Sequence, residues 1–294
     1  MQAAGYTIAF MTRRVVISGT GPISALGVGI DDPWAAMQEG RSGLKPLTCF
    51  DPGAFPCHVG GELDADMFKV RNVVPKSYRK AVKVMCRDVE LAVGGAVAAI
   101  LDAGLKTPGV DNEDGHVIPP DRMGCQIGSG LIAADVQELT NAFITSLGEN
   151  DEVDLAKWGV TGMENLTPLW LLKYLPNMLA CHVTIVHDCQ GPSNTITCCE
   201  SSSALSLGES LRVIERGDAD ACLTGGAESR LNPMAFYRQW CSNRIVGTAP
   251  DDEPGSLVRP FAPDAKGTLL GEGGGILVLE SAESVAPCQS EYHP

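Results

Sequence analysis

Two thiols and a carboxylate, Cys198, Cys199 and Glu200, stand where the chain changes its period. Before them, residues 193–197 (SNTIT) are β-prone and follow the Gly191-Pro192 turn. After them, residues 201–216 place Ala204, Leu207, Leu211 and Ile214 at helical spacing. That helix ends at Gly217 with Arg212 and Arg216 in its last turns, as a C-terminus should. Residues 221–224 read as a short buried strand closed by Gly225-Gly226. A strand that turns sharply into a helix presents a side chain at the helix N-terminus, where backbone N–H groups point outward and the dipole favours negative charge. A thiolate or carboxylate is stabilised there, and enzymes use the geometry for a nucleophile and its oxyanion hole. The same pattern serves any strand–helix–strand unit of an α/β domain, so spacing alone leaves both readings open.

The elements that must position this turn are legible to different degrees. Residues 15–19 form a buried strand, and the glycine-rich run 19–29 reads as a tight strand-to-helix connection, since it has no phosphate-binding spacing. Residues 79–105 carry the longest periodic helix, with Val82, Met85, Cys86, Val89, Val93, Val97 and Leu101 on one face. Gly94-Gly95 costs a lone helix about 1 kcal/mol per residue, which implies close packing on another backbone. Residues 123–128 form a strand ending in the turn Gly128-Ser129-Gly130, from which the next helix should start. Residues 166–182 are apolar and punctuated by Pro168 and Pro176, and 238–256 read as loop.

Composition excludes several classes. The 294 residues carry a net charge of −14, which argues against nucleic acid or an anionic membrane as partner. The one basic run, Lys69, Arg71, Lys76, Arg79, Lys80, Lys83 and Arg87, reads as a solvated helix face. Eleven cysteines are scattered without zinc-site spacing, and Cys86, Cys125, Cys181 and Cys222 sit in apolar runs as small hydrophobes. That usage implies a reducing cytoplasm, and neither a metal nor a cofactor is expected. No secretory leader or membrane span is expected. Of the five histidines, His182 and His187 are placed flanking a strand and His58 and His116 in loops; with His293, all five read as structural.

Gly191-Pro192-Ser193, Gly217-Asp218-Ala219-Asp220 and Gly225-Gly226-Ala227-Glu228 together resemble the active-site region of the β-ketoacyl-acyl-carrier-protein synthases, condensing enzymes of the thiolase superfamily. The opening strand with residues 34–43 (WAAMQEGRSG), and Arg259-Pro260-Phe261 with residues 267–280 as a closing hairpin, resemble the same family's N-terminal half. The resemblance implies a thiolase-like layered α/β half domain: a mixed five-stranded sheet with helices on both faces, and a central, mostly buried helix after Glu200. Its bounds are expected at 11–280, with 1–10 an N-terminal extension and 281–294 an irregular tail. The family's second half, which supplies two catalytic histidines and an oxyanion donor, is expected to be missing. No histidine here lies in an H-G-T or N-x-x-x-G-H context.

The resemblance also implies roles. Counting from Gly191 or from Gly217, the family's nucleophilic cysteine falls on Glu200. An ionised carboxylate is a poor acyl acceptor, because an acyl-glutamate is a mixed anhydride that hydrolyses readily. Related chain-length-factor subunits carry Gln at this place and act as partners of an active ketosynthase, and Glu is isosteric with Gln. The chain is thus expected to be a non-condensing, chain-length-factor-like protein of fatty-acid or polyketide synthesis. Its expected partners are acyl carrier protein, acyl and malonyl thioesters, and a second subunit in a homodimer or heterodimer. One alternative is an active synthase using Cys199 after a one-residue slip of the turn, which reverses strand faces and rotates the helix by about 100°. Another is an inactive truncated gene product. Asn177, Met178, Asn194, Ile196 and Ser202 are implied in the acyl pocket and dimer interface.

Overall fold

The computed structural model describes residues 13–53, 55–249 and 252–285. The proposed extension 1–10 and most of the proposed tail lie outside these residues. In chain order the elements are β1 (Val15–Ser24), β2 (Gly27–Val28), α1 (Asp31–Gln38), β3 (Leu44–Pro46), β4 (Val59–Gly61), α2 (Val70–Val73), α3 (Arg87–Asp102), β5 (Met123–Gly128), α4 (Val136–Ile144), α5 (Leu155–Lys157), α6 (Met178–His187), β6 (Ser193–Ile196), α7 (Ser202–Glu215), β7 (Ala221–Ser229), α8 (Pro233–Cys241) and β8 (Glu272–Ser281).

The main sheet runs β2-β1-β8-β7-β5-β6. It is the expected mixed five-stranded sheet, with the two-residue β2 added at one edge. β8 is antiparallel to β1 and β7, whereas β5 is parallel to β7 and β6. Alternation along the strands divides the core between the two faces. Leu223 and Val278 join the α3 and α6 core, with Val89, Val93 and Leu179, while Cys222 and Leu279 face Val213 and Ile214 of α7. Each fully buried Leu, Ile or Val contributes about 1.5–3 kcal/mol. The α3 side therefore carries most of the apolar stabilisation, and α7 has two large anchors only.

Several elements differ from expectation for identifiable reasons. β1 does not stop at Gly19 but continues through Gly21 to Ser24. Its glycines let α3 lie directly on the strand: a methyl group on Gly21 would sit 2.0 Å from the Gly95 carbonyl oxygen. The predicted close approach at Gly95 is therefore observed. α3 begins at Arg87 rather than at 79, because Met85 is extended and residues 76–84 form short 3-10 turns. The basic run accordingly spreads over α2, the 3-10 turns and the first residue of α3 instead of one helix face.

β7 runs through Gly225-Gly226 to Ser229, since both glycines pair with β8 and β5. Residues 267–280 form no hairpin. β8 is one strand between β1 and β7, and it includes Ser281 of the proposed irregular tail. Residues 183–186, the supposed strand between His182 and His187, lie inside α6, and both histidines are buried. No helix starts at Gly130; the chain stays irregular until α4, which Asp135 caps by accepting the Gln137 N–H at 2.8 Å. No helix among the described residues is long and apolar enough to cross a membrane.

Candidate functional site

The parallel strands β5, β6 and β7 end on the same side of the sheet, where α/β folds place their ligands. β6 ends at Ile196, and residues 197–201 turn the chain into α7. The corner is Cys199, whose φ of +49° puts it in the left-handed region that a non-glycine residue rarely enters. Ser202 holds this corner. Its buried Oγ accepts the Cys198 N–H at 2.8 Å and donates to the Cys199 carbonyl at 2.6 Å.

The first turn of α7 rests on glycines. A methyl group on Gly128 would lie 2.4 Å from backbone atoms of both Ser202 and Ser203, and one on Gly226 would lie 3.1 Å from the Ser203 Cβ. At the far end, Gly217 (φ +81°) closes the helix: its N–H and that of Asp218 bond the carbonyls of Ile214 and Val213. Arg122 then donates to the carbonyls of Gly217 and Asp218.

The inward face of α7 shares only Ile214 with the predicted stripe. Ser202, Ser206, Ser210, Val213 and Ile214 are buried, whereas Ala204, Leu205 and Leu211 are exposed and Leu207 is half-buried. Small serines allow the close approach that Gly128 and Gly226 require. Ser206, for example, donates to the Gly225 carbonyl at 2.9 Å. The expectation of a mostly buried helix fails for this chain, which leaves the outer face of α7 in solvent.

A shallow depression of about 240 Å³ opens at the corner. Its floor is glycine from three strands and a turn: Gly128, Gly130, Gly226, Gly273 and Gly274. Cys199, Glu200, Ser202, Glu228 and Arg230 line it as well. The Glu200 side chain is 64% exposed, and its Oε1 accepts Arg244 Nη1 at 2.8 Å. Its own backbone N–H, then Arg244, hold the carboxyl below the ordinary glutamate range, so Glu200 is ionised at neutral pH. Arg230, paired with Glu228 at 2.9 Å, adds to the same effect.

Three of the sequence-predicted residues, Cys199, Glu200 and Ser202, meet at this depression; Asn177, Met178, Asn194 and Ile196 do not line it. Asn177 is exposed just ahead of α6, and Met178 packs half-buried on the main core. Asn194 and Ile196 lie on β6, the last strand of the sheet. Arg230 and Arg244 carried no local signal. Arg244 lies 44 positions beyond Glu200 and reaches it only through the path of the chain after α8.

Several buried or half-buried thiols and two imidazoles have structural surroundings. Burial pushes the thiols of Cys86, Cys189 and Cys222 up to about 12, and Cys125 rises for the same reason. Cys86 and Cys181 are half-buried rather than fully so. His182 pairs with the Tyr78 hydroxyl at 2.7 Å and His187 with the Thr107 hydroxyl at 2.8 Å. Burial lowers both imidazoles, His187 to about 4, so they remain neutral.

Residues 12–284 match the family described as "Beta-ketoacyl synthase, N-terminal domain". The 3-oxoacyl-[acyl-carrier-protein] synthase 2 of Staphylococcus aureus (strain COL) is 30% identical over 273 residues, which cover 92% of this chain and 58% of that protein. The protein of the same description from Synechocystis sp. is 32% identical over 276 residues, again 92% and 58%. Among solved structures, a β-ketoacyl synthase from Burkholderia phymatum superposes with a TM-score of 0.72 at 25% identity, over 92% of this chain and 60% of that one. The ishigamide ketosynthase/chain length factor gives 0.70 at 26% identity, over 93% and 59%. The chain thus spans about three-fifths of the length of these relatives. With the match, the mixed sheet and the strand-to-helix corner in agreement, the chain belongs to the β-ketoacyl synthase family of the thiolase superfamily and corresponds to that family's N-terminal half.

Proposed function

We propose that the chain serves fatty-acid or polyketide synthesis as a ketosynthase homologue that does not itself condense, a chain-length-factor-like partner of a cysteine-bearing subunit. The supporting observation is the ionised Glu200 carboxylate, paired with Arg244 at the N-terminal corner of α7. A condensing enzyme needs a thiolate there, which attacks well and leaves well. A carboxylate holds an acyl group only as an anhydride, and its charge repels a malonyl carboxylate. An acyl carrier protein is the expected source of thioester. Arg71, Lys76, Lys80 and Lys83 are exposed and have no ion-pair partner among the described residues, so they offer an acidic carrier a local cationic surface on an otherwise acidic chain.

A second reading makes Cys199 the nucleophile. It is favoured by the left-handed corner at Cys199 and by its place on the depression. The two readings separate on labelling with the thiol-directed inhibitor cerulenin followed by peptide mass spectrometry. The proposed function predicts no saturable adduct at Cys199 and a new one at position 200 in Glu200→Cys. A stoichiometric adduct at Cys199 in the unaltered chain supports the second reading and removes the first.

A further inference from the structure

Glu200 has the surroundings of a reacting group. Its side chain is largely exposed, yet Arg244 fixes one oxygen at 2.8 Å; Oε2 bonds no other residue among those described. The depression in front of it has a glycine floor, which leaves room for a thioester arm. The amides of Ser203 and Ala204, in the first turn of α7, meet no carbonyl among the described residues, as first-turn amides do not within a helix. Arg230, paired with Glu228 at 2.9 Å, lines the depression as well.

We propose that the chain hydrolyses acyl thioesters, with the Glu200 carboxylate as nucleophile and Arg244 as its positioning residue. A Glu200 oxygen forms a bond to the thioester carbonyl carbon, and the carbon–sulfur bond breaks. The sulfur leaves with the electron pair and takes a proton from solvent. The product on the protein is a mixed anhydride. Water attacks it, the acyl group departs as a carboxylic acid, and Glu200 returns as a carboxylate with its proton lost to solvent. The sum is one thioester and one water giving one acid and one thiol.

The second step is favoured by chemistry already present. The difference of about four pKa units between a carboxylic acid and a thiol makes the first step uphill and the second downhill, so the anhydride stays scarce and its hydrolysis draws the sequence forward. The cation at 2.8 Å stabilises the Glu200 carboxylate as it departs. Exposure of Glu200 admits water, so the acyl group is discharged rather than stored. The arrangement disfavours condensation for the same reasons that it favours hydrolysis.

The inference shares with the proposed function the placing of Glu200 at the reacting position, and a test on the full chain separates them. An S-acyl-N-acetylcysteamine is incubated with the chain and thiol release is followed; in a separate incubation, hydroxylamine is added to trap anhydride and only the protein is analysed. The expected result is catalytic thiol release, a hydroxamate on Glu200 by peptide mass spectrometry, and loss of both in Glu200→Gln. The loss of rate should be about a hundredfold, the scale for removing a positioned catalytic group. An unchanged thermal unfolding midpoint in Glu200→Gln shows that the site, not the fold, was lost.

Release equal in the two proteins overturns the hydrolase inference and leaves the non-condensing reading standing. Release lost in Glu200→Gln without a trapped Glu200 overturns the covalent route. Acyl transfer to Cys199 overturns both the inference and the proposed function.

Discussion

Two buried or paired carboxylates titrate in opposite directions and give the fold two pH signatures. Asp88, at the start of α3, is almost fully buried and accepts the Ser229 N–H at 3.2 Å. Burial, with Glu228 and Glu272 nearby, pushes it up to about 7 from 3.8. A carboxyl raised on folding stabilises the fold below its unfolded value, and that contribution is lost as pH rises through the folded one. Asp88→Asn should therefore flatten the loss of stability between about pH 4 and 7, a term on the order of 2–4 kcal/mol, and raise stability at pH 8. Urea titrations across that range measure it. Asp220 is the opposite case. Arg122 and Arg13 bond it at 2.8 Å each and hold it at about 2, so its contribution is present above pH 4 and lost as pH falls toward 2. Asp220→Ala should cost about 1–3 kcal/mol at pH 7, because it removes the carboxylate shared by Arg13 and Arg122, which then keep only their partners at Ala219, Ser281 and Glu283 and at Gly217 and Asp218. Unfolding midpoints at pH 7 check this.

At the scale of elements, α7 is held by contact rather than by apolar area. Gly128→Ala should cost about 1–3 kcal/mol and shift the corner at Cys199, since the new methyl meets backbone and not a flexible side chain. Leu205→Gln and Leu211→Gln, on the exposed side, should change the stability of the single chain by less than about 0.5 kcal/mol, and a larger loss would report a partner seated on that side. Chemical denaturation of the three variants distinguishes the faces. The sequence showed that 202–215 is a helix but not which side it buries. Apolar spacing pointed to Ala204, Leu207, Leu211 and Ile214, of which only Ile214 is buried, whereas the glycines of β5 and β7 admit the serine side. β1, β7 and α3 were found but misbounded, because their glycines read as breakers in sequence and are close-packing positions in space. The turn that brings Glu200 and Cys199 to the depression was legible from local landmarks. Arg230 and Arg244 were not, since a partner brought in by the fold leaves no pattern nearby.

For the whole molecule, the sheet ends in β6, whose outer edge has no strand beside it among the described residues. Strand edges of this kind pair with other chains. The exposed Ile185, Leu205 and Leu211 lie on the neighbouring helices α6 and α7. We expect a dimer through residues 190–200, burying over roughly 2,000 Å² in total. Lysine at Asn194 and at Ile196 should convert it to monomer in light scattering, and an unaltered chain that is already monomeric and monodisperse contradicts the expectation. Charge reversal at Lys76, Lys80 and Lys83 should weaken binding of an acyl carrier protein and reduce its salt dependence, with little effect on the dimer.

Glu200 is proposed to stand where a condensing enzyme holds its acyl group. The most direct measurement is peptide mass spectrometry of the chain and of Glu200→Cys after exposure to an acyl thioester. The prediction is a stable acyl-thioester on position 200 of the variant and none on Cys199 of the unaltered chain. A stable acyl group on Cys199 of the unaltered chain would contradict it.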